Sequence, residues 1–252
     1  MSFSDELCAK YPSLRKYDDD DYPESHDGRE AALLRHIYSL PSLEDLRGNP
    51  SALMGAMDEF AAQQDFLISI GSDKGPKLAD LIATHKPAVV VELGGYVGYS
   101  AIAFAQAMLA AASPEQRSNL RLWSLEFDPL VASIAMNFIE LAGLSDIVKV
   151  VVGPAARSLK RLSDEGKLGG GNTIDLLFLD HDESLYVPDL KVCEELQLLG
   201  TGSLIVADNM IRPGAPGYRE YVRGHADWES WIIKGLVMPG EFGDEIEVSK
   251  VK

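Results

Sequence analysis

Cysteine is almost absent from this chain, which carries only Cys8 and Cys193 among its 252 residues. So few cysteines exclude a scaffold held together by disulfides. No run of about 18 apolar residues occurs, so a membrane-spanning helix and a membrane partner are not expected. The N-terminus also lacks the basic and apolar stretches of a secretory signal. These absences lead us to expect a cytoplasmic protein.

Basic residues are also scarce, with 23 Lys and Arg against 39 Asp and Glu and a net charge of −16. A field of this sign opposes binding to a phosphate backbone, so nucleic acid is not expected as a partner. The hydrophobic content of 46% is that of a soluble globular protein that can bury a large core. We expect a monomer or a weak dimer.

The first 28 residues are polar and contain an acidic run at 18–21. Like charges in a block repel each other, so we expect residues 1–28 to form an acidic, flexible N-terminal tail. Residues 29–252 are expected to form a single domain that begins with helices. Helical spacing of apolar residues predicts helices over 29–40, over 51–70 and around Leu78, with a loop at 69–75.

An unbroken apolar run at 89–91 is followed by Glu92, three glycines at 94, 95 and 98, and an Ala-rich helical pattern. A continuous valine run before a glycine turn predicts a buried parallel strand. Glycines let the chain turn tightly and let a ligand approach the backbone. This stretch therefore indicates a nucleotide-type cofactor held by a strand, a glycine turn and a helix.

Further strands are predicted at 120–126, 147–152, 174–179 and 203–207, separated by helices, and two more near the C-terminus. Alternating strands and helices predict a parallel sheet. Glu126 ends the second strand, where nucleotide-binding folds place an acid on the ribose hydroxyls. It lies 34 residues after Glu92, and the glycine pattern is Gly-Gly-x-x-Gly rather than the G-x-G-x-x-G of dinucleotide sites. An NAD dehydrogenase is therefore disfavoured against a different adenosine cofactor.

Polar residues also follow the strands at 174–179 and 203–207. Asp180, Asp208 and Asn209 are expected at one edge of the sheet, and their oxygens suit Mg²⁺, or Mn²⁺ as a close substitute. The alternative is that the two aspartates cap the following helices. Without a second His or Cys nearby, His181 is a contact residue rather than a zinc ligand. Asp182 and Glu183 are either general bases or a solvated loop.

These segments resemble the catechol O-methyltransferases, which depend on a metal and on S-adenosylmethionine. The matching stretches are 91–100, 177–181, 207–216 and 222–224, of which Asp-Asn-x-x-x-Pro-Gly-Ala-Pro is the most specific. The resemblance runs from about residue 64 to the C-terminus. It implies an α/β, Rossmann-like methyltransferase fold: a seven-stranded, mostly parallel sheet with helices on both faces.

The resemblance also implies roles for individual residues. Asp180, Asp208 and Asn209 match the Mg²⁺ ligands, Glu126 matches the acid that holds the ribose, and Ala155 falls where the family has a serine near the adenine. The full set expected around the cofactor is Ile70, Gly71, Glu92, Gly94, Tyr96, Ser100, Glu126, Ala155, Asp180 and His181.

The acceptor side departs from the family. After the Asp-His pair the family has Trp-Lys, with the lysine as general base, whereas this chain has Asp182-Glu183. The glutamate that holds the second hydroxyl falls near Met238, with Glu241 the nearest acid, and the tryptophan of the substrate wall becomes Phe66. We therefore expect an O-methyltransferase acting on a catechol-like or other small hydroxylated acceptor, with Glu183 or Asp182 as base. The alternative is a cofactor- and metal-binding homologue with lost or altered catalysis.

Overall fold

The computed structural model of the chain describes residues 3–18, 23–168 and 171–252. Its centre is one seven-stranded sheet with the order β3-β2-β1-β4-β5-β7-β6. The first five strands pair in parallel, and β7 pairs antiparallel with both β5 and β6. The predicted fold is confirmed. The strands are β1 Val89–Leu93, β2 Arg121–Glu126, β3 Val148–Val152, β4 Ile174–Leu179, β5 Leu199–Ala207, β6 Trp228–Val237 and β7 Phe242–Val251.

Helices cover both faces of this sheet. A cluster of α4, α5, α6 and α7 side chains packs on one face, and a second cluster from α8, α9 and α10 packs on the other. The helices are α1 Asp5–Lys10, α2 Arg29–Ser39, α3 Leu43–Leu46, α4 Pro50–Gln63, α5 Gly71–His85, α6 Tyr99–Ala111, α7 Pro129–Leu141, α8 Ala155–Asp164, α9 Tyr186–Glu195 and α10 Pro216–Arg223; 3₁₀ turns span Pro12–Asp18, Arg117–Asn119 and Glu183–Leu185.

The position of β1 follows from its sequence. Every residue of Val89–Leu93 is buried, because β2 and β4 flank the strand and helices cover it on both sides. On one face, α6 packs its Ala-rich surface on the sheet, and the ring of Phe104 meets that of Phe178 on β4 edge-on at 4.9 Å. Small alanines let a helix lie close to a sheet, and this packing fixes the glycine turn between β1 and α6.

Several helix boundaries differ from those predicted from the sequence. The helix predicted over 51–70 ends at Gln63, and the predicted loop at 69–75 contains the start of α5 at Gly71. Helix α10 was not predicted, although Pro216 occupies its first turn, where a missing N–H costs nothing. Its buried residues Tyr218 and Val222 lie four positions apart, on one face of the helix.

Part of the N-terminal segment, which we expected to be a flexible tail, packs against the domain. Cys8, Tyr11 and Leu14 are buried in a small cluster with Phe66 and several other side chains. Apolar residues at these spacings supply enough buried surface to hold a short segment against the domain. The acidic residues 19–21 lie outside the described residues. Within the described ranges, no helix is long and apolar enough to cross a membrane.

Candidate active site

The predicted site residues converge at the carboxyl edge of the sheet. Glu92 lies in β1, Glu126 ends β2, and Asp180 and Asp208 directly follow β4 and β5. Because β1 lies between β2 and β4, the strand order reverses beside it, and such a reversal opens a crevice in α/β sheets. The structure therefore brings these predicted residues together at one edge of the sheet.

The glycine turn is shaped by protein contacts. Gly94 has φ +91°, and a Cβ built on it would lie 2.3 Å from the carbonyl oxygen of Asp180. At Gly95 a Cβ would lie 2.3 Å from Ser124 Oγ. We expected these glycines to make room for a ligand, whereas here they make room for neighbouring strands. The turn and the Asp180-His181 backbone thus pack directly on each other.

Glu92 is fully buried beneath this turn. Its Oε2 accepts a hydrogen bond from Ser124 Oγ at 2.5 Å, and Oε1 has no partner among the described residues. Burial, aided by the charge of Glu126, raises the pKa of Glu92 to about 7. A buried acceptor without a donor is costly, so this oxygen fits a hydrogen-bond donor that arrives with a ligand.

Glu126 anchors the turn from the neighbouring strand. Its two carboxylate oxygens accept from the backbone N–H groups of Tyr96 and Asp128, each at 2.8 Å. Tyr96 adopts φ +41° and donates its hydroxyl to Glu30 Oε1 on α2 at 2.9 Å. Each carboxylate oxygen keeps a lone pair, so Glu126 retains capacity to accept ribose hydroxyls.

The remaining cofactor candidates surround the same turn. Ile70 and Gly71 lie at the start of α5, Ser100 in the first turn of α6, and Ala155 at the start of α8. Gly71 is also tightly packed, because a Cβ there would lie 3.0 Å from Met238 Cβ. Each of these positions is an element end that faces the carboxyl edge of the sheet.

His181 shows a second unsatisfied group. Its Nε2 lies 2.9 Å from Asp189 Oδ2, its ring stacks on Tyr186 at 5.2 Å, and its buried Nδ1 has no partner in the described structure. Asp189 fixes the ring orientation, leaving Nδ1 for another molecule. The role of His181 as a contact residue stays a prediction.

The three candidate metal ligands lie at adjoining strand ends. Part of Asp180 reaches solvent, yet desolvation of its carboxyl group and the neighbouring Asp208 carboxylate raise its pKa well above the usual range. The buried ammonium nearby, that of Lys74, pairs with Asp208. Asn209 has φ +62°, and its Nδ2 donates to the Arg212 carbonyl at 2.8 Å, which leaves its Oδ1 for another partner. Two mutually repelling carboxylates and a free amide oxygen fit a hard divalent cation.

No cluster of three or more His, Cys, Asp or Glu side chains suited to a metal occurs in the described part of the chain. The trio Asp180, Asp208 and Asn209 contains two carboxylates and one amide, so water and an acceptor would complete the coordination of a bound ion.

Sequence reasoning missed Lys74 and Asp244. Lys74 Nζ donates to Asp208 Oδ1 at 2.6 Å and to Asp244 Oδ2 at 2.7 Å, and all three side chains are buried. A signal for Lys74 was present, because it precedes Leu78 by four residues and therefore lies on the apolar face of α5. A lysine on such a face requires a buried anionic partner.

The two acidic residues after His181 have different surroundings. Asp182 Oδ1 accepts from Ser184 N at 2.9 Å and from Ser184 Oγ at 2.6 Å, so it caps a 3₁₀ turn, and these bonds lower its pKa. Glu183 is half-buried, and burial raises its pKa. Of the two, Glu183 is the better candidate for a base.

The other acceptor-side positions contact the N-terminal segment. Phe66 and Met238 pack against the cluster of Cys8, Tyr11 and Leu14. Glu241 accepts hydrogen bonds from Lys10 and, at 2.9 Å, from the hydroxyl of Tyr11. The nearest acid to the family's second-hydroxyl position is therefore bound to α1 and the residue after it.

Comparisons with known proteins identify the family of this chain. The model of the O-methyltransferase family matches residues 48–218. The chain is 33% identical over 223 residues to a catechol O-methyltransferase of Bos taurus, covering 88% of this chain and 73% of that protein. It is 37% identical over 200 residues to a probable O-methyltransferase of Mycobacterium tuberculosis, covering 78% and 79% of the two chains.

Solved structures share the fold. The O-methyltransferase of Bacillus cereus, in complex with SAH, has a TM-score of 0.63 at 18% identity and covers 98% of this chain and all of its own. The O-methyltransferase TomG of Streptomyces achromogenes, in complex with SAM, has a TM-score of 0.64 at 20% identity, covering 90% and 99%.

The strand order and the acidic crevice beside β1 define the Rossmann-like methyltransferase fold. Within that class, the chain belongs to the O-methyltransferase family of S-adenosylmethionine-dependent enzymes and is similar to the catechol O-methyltransferases. The predicted family and enzyme class are confirmed.

Proposed function

We propose that this chain is a Mg²⁺-dependent O-methyltransferase that transfers the methyl group of S-adenosylmethionine to a catechol-like or other small hydroxylated acceptor. The observation that carries the proposal is the position of Asp180, whose ionised carboxylate is disfavoured by desolvation and by the neighbouring Asp208 carboxylate, beside the free oxygen of Asn209. The match to catechol O-methyltransferases supports it.

The cofactor half rests on unsatisfied buried groups. Glu92 Oε1 and His181 Nδ1 are buried and have no partner in the described structure, and both residues lie beside the glycine turn. We assign Glu92, with Ser100 and Tyr96 beside it, to the methionine part of the cofactor, and Glu126 to the ribose. Ile70, Gly71, Gly94, Ala155 and His181 complete this set.

The metal half assigns Asp180, Asp208 and Asn209 as ligands. When bound, a divalent cation lowers the pKa of a coordinated hydroxyl and orients it. Mn²⁺ is a close substitute because it accepts the same oxygen ligands.

Glu183 takes the acceptor's proton in this proposal. Its half-buried carboxylate has a raised pKa, which makes it a stronger base near neutral pH than an exposed glutamate. Bound S-adenosylmethionine would supply the methyl group to the acceptor oxygen and leave as S-adenosylhomocysteine, with the residues of the glycine turn and Glu126 holding it for the transfer. The proton remains on Glu183 until it passes to solvent, and Phe66 and Met238 supply apolar surface on the acceptor side.

The test is methyl transfer. Purified protein is incubated with methyl-labelled S-adenosylmethionine, Mg²⁺ and a panel of catechols and monophenols. An Asp180→Asn variant is the matched control, because no buried cation loses its partner when this carboxylate is changed. We expect labelled methyl ethers with the wild type and none above background with the variant. Tight cofactor and metal binding without transfer to any acceptor would instead support a homologue with lost catalysis.

A further inference from the structure

A buried lysine lies directly behind the candidate metal ligands. Lys74 is 2% exposed, and its ammonium group bridges Asp208 Oδ1 and Asp244 Oδ2 at 2.6 and 2.7 Å. A buried ammonium is strongly unfavourable unless it is paired, so two carboxylates hold it in one place. Since Lys74 occupies one oxygen of Asp208, the other oxygen is the one left for a further ligand.

Asp244 extends the same contact to the second ligand. Its Oδ1 accepts from the backbone N–H groups of Ile211 at 2.9 Å and Arg212 at 3.2 Å. The carbonyl of Arg212 in turn accepts from Asn209 Nδ2 at 2.8 Å, which directs the amide of Asn209. One cluster thereby fixes the orientation of both Asp208 and Asn209.

We propose that Lys74, acting through Asp208 and Asp244, is a positioning residue that orients Asp208 and Asn209 for a divalent cation. This inference rests on the proposed metal dependence. Lys74 touches no reacting atom. Groups that orient metal ligands from behind influence affinity strongly, and their loss weakens metal binding by about 10- to 100-fold.

Because Lys74 is charged, a positioning role and a purely electrostatic role predict opposite effects of its removal on metal affinity. If the ammonium acted only through its charge, removing it would increase the net negative charge around the cation and tighten binding. If it acts by positioning, removing it releases Asp208 and the Asp244 loop contact, and binding weakens. A Lys74→Met variant therefore shifts metal affinity in opposite directions under the two accounts.

Gly235 on β6 offers a way to displace Lys74 without changing any charge. It pairs with Asp244 across the hairpin, and a Cβ built on it would lie 2.7 Å from Lys74 Cγ. Because Cγ is near the base of the side chain, Gly235→Ala forces the lysine stem to move. The matched control is Gly243→Ala on β7, where a Cβ meets nothing within 4 Å.

The experiment measures Mn²⁺ affinity by electron paramagnetic resonance on full-length, EDTA-treated protein. Lys74→Met and Gly235→Ala are compared with Gly243→Ala and with Lys77→Met, which removes a partly exposed lysine of the same helix that pairs with Asp73. S-adenosylmethionine affinity by calorimetry and thermal unfolding are recorded for every variant. We expect about 10- to 100-fold weaker Mn²⁺ binding in the first two and less than about twofold change in the controls.

Unchanged or tighter Mn²⁺ binding in folded Lys74→Met and Gly235→Ala protein overturns the positioning role while leaving the metal site intact. If Lys74→Met does not fold, Gly235→Ala alone decides, because it retains the ion pairs' charges. Absence of Mn²⁺ binding to the wild type overturns the proposed metal dependence, and the role of Lys74 with it.

Discussion

The protonation of Glu92 gives the structure a pH-dependent stability that can be measured without a substrate. The side chain is fully buried, has one unpartnered oxygen and has a pKa raised to about 7. The substitution Glu92→Gln keeps its size and its acceptor for Ser124 Oγ, while removing the ionisable proton.

The sign follows from the two states. Between the ordinary pKa of 4.5 and about 7, the unfolded chain releases the Glu92 proton while the folded chain keeps it, so the free energy of unfolding falls as pH rises. The raised pKa of Glu92 lowers the free energy of unfolding of the wild type by about 3 kcal/mol at about pH 8 and by about 1 kcal/mol at about pH 5. The variant therefore gains about 2 to 3 kcal/mol relative to the wild type between these pH values.

The assay is urea unfolding of cofactor-free protein, followed by circular dichroism across this pH range. The difference between variant and wild type isolates Glu92, because other titrating groups contribute to both. Glu229→Gln, at an exposed position of β6, serves as the control. Parallel curves for wild type and Glu92→Gln over the whole range would refute the reasoning.

Three further outcomes follow from the site. Asp180→Asn should raise the free energy of unfolding of the metal-free protein, because it removes a carboxylate that burial and Asp208 disfavour. The same variant should bind Mn²⁺ at least about tenfold more weakly. Urea unfolding and Mn²⁺ titration check this, and lower stability of the variant would contradict it. Glu183→Gln should lower kcat for an accepted phenol by about 100-fold or more, as loss of a general base does, and should leave cofactor affinity unchanged. Steady-state kinetics and calorimetry check this. An unaltered kcat would exclude the role of Glu183 as base. Gly94→Ala should lower the free energy of unfolding by about 3 kcal/mol or more, because φ is +91° and the Cβ would lie 2.3 Å from a backbone oxygen. Thermal unfolding checks this against the control Gly217→Ala, where a Cβ meets nothing within 4 Å. Equal melting temperatures of the two variants would contradict it.

The sheet was predictable because most of its strands have clear local sequence patterns. Local patterns predicted three of the strands: the valine run at 89–91, the strand that ends at Glu126 and the strand that ends before Asp180. Tertiary packing did not override these patterns. Strand ends meet at one edge of a parallel sheet, so local patterns sufficed to bring distant acids together.

The residues that were missed are those whose roles depend on contacts far apart in sequence. Lys74 and Asp208 are separated by 134 positions, and Asp244 lies on a strand that had only a weak pattern. The N-terminal segment was expected to be solvated because its acidic run dominated its composition, whereas Cys8, Tyr11 and Leu14 are only three apolar positions within a polar stretch. Their burial depends on the partner surface at Phe66 and Met238.

The most direct test of the central claim is whether methyl transfer depends on the cation at Asp180 and Asp208. EDTA-treated wild-type protein is assayed with labelled S-adenosylmethionine and a catechol while Mg²⁺ is titrated back. We expect transfer to rise from background to saturation with Mg²⁺ in the wild type and to stay at background in Asp180→Asn. Full transfer in EDTA, or equal transfer by the variant, would contradict the account.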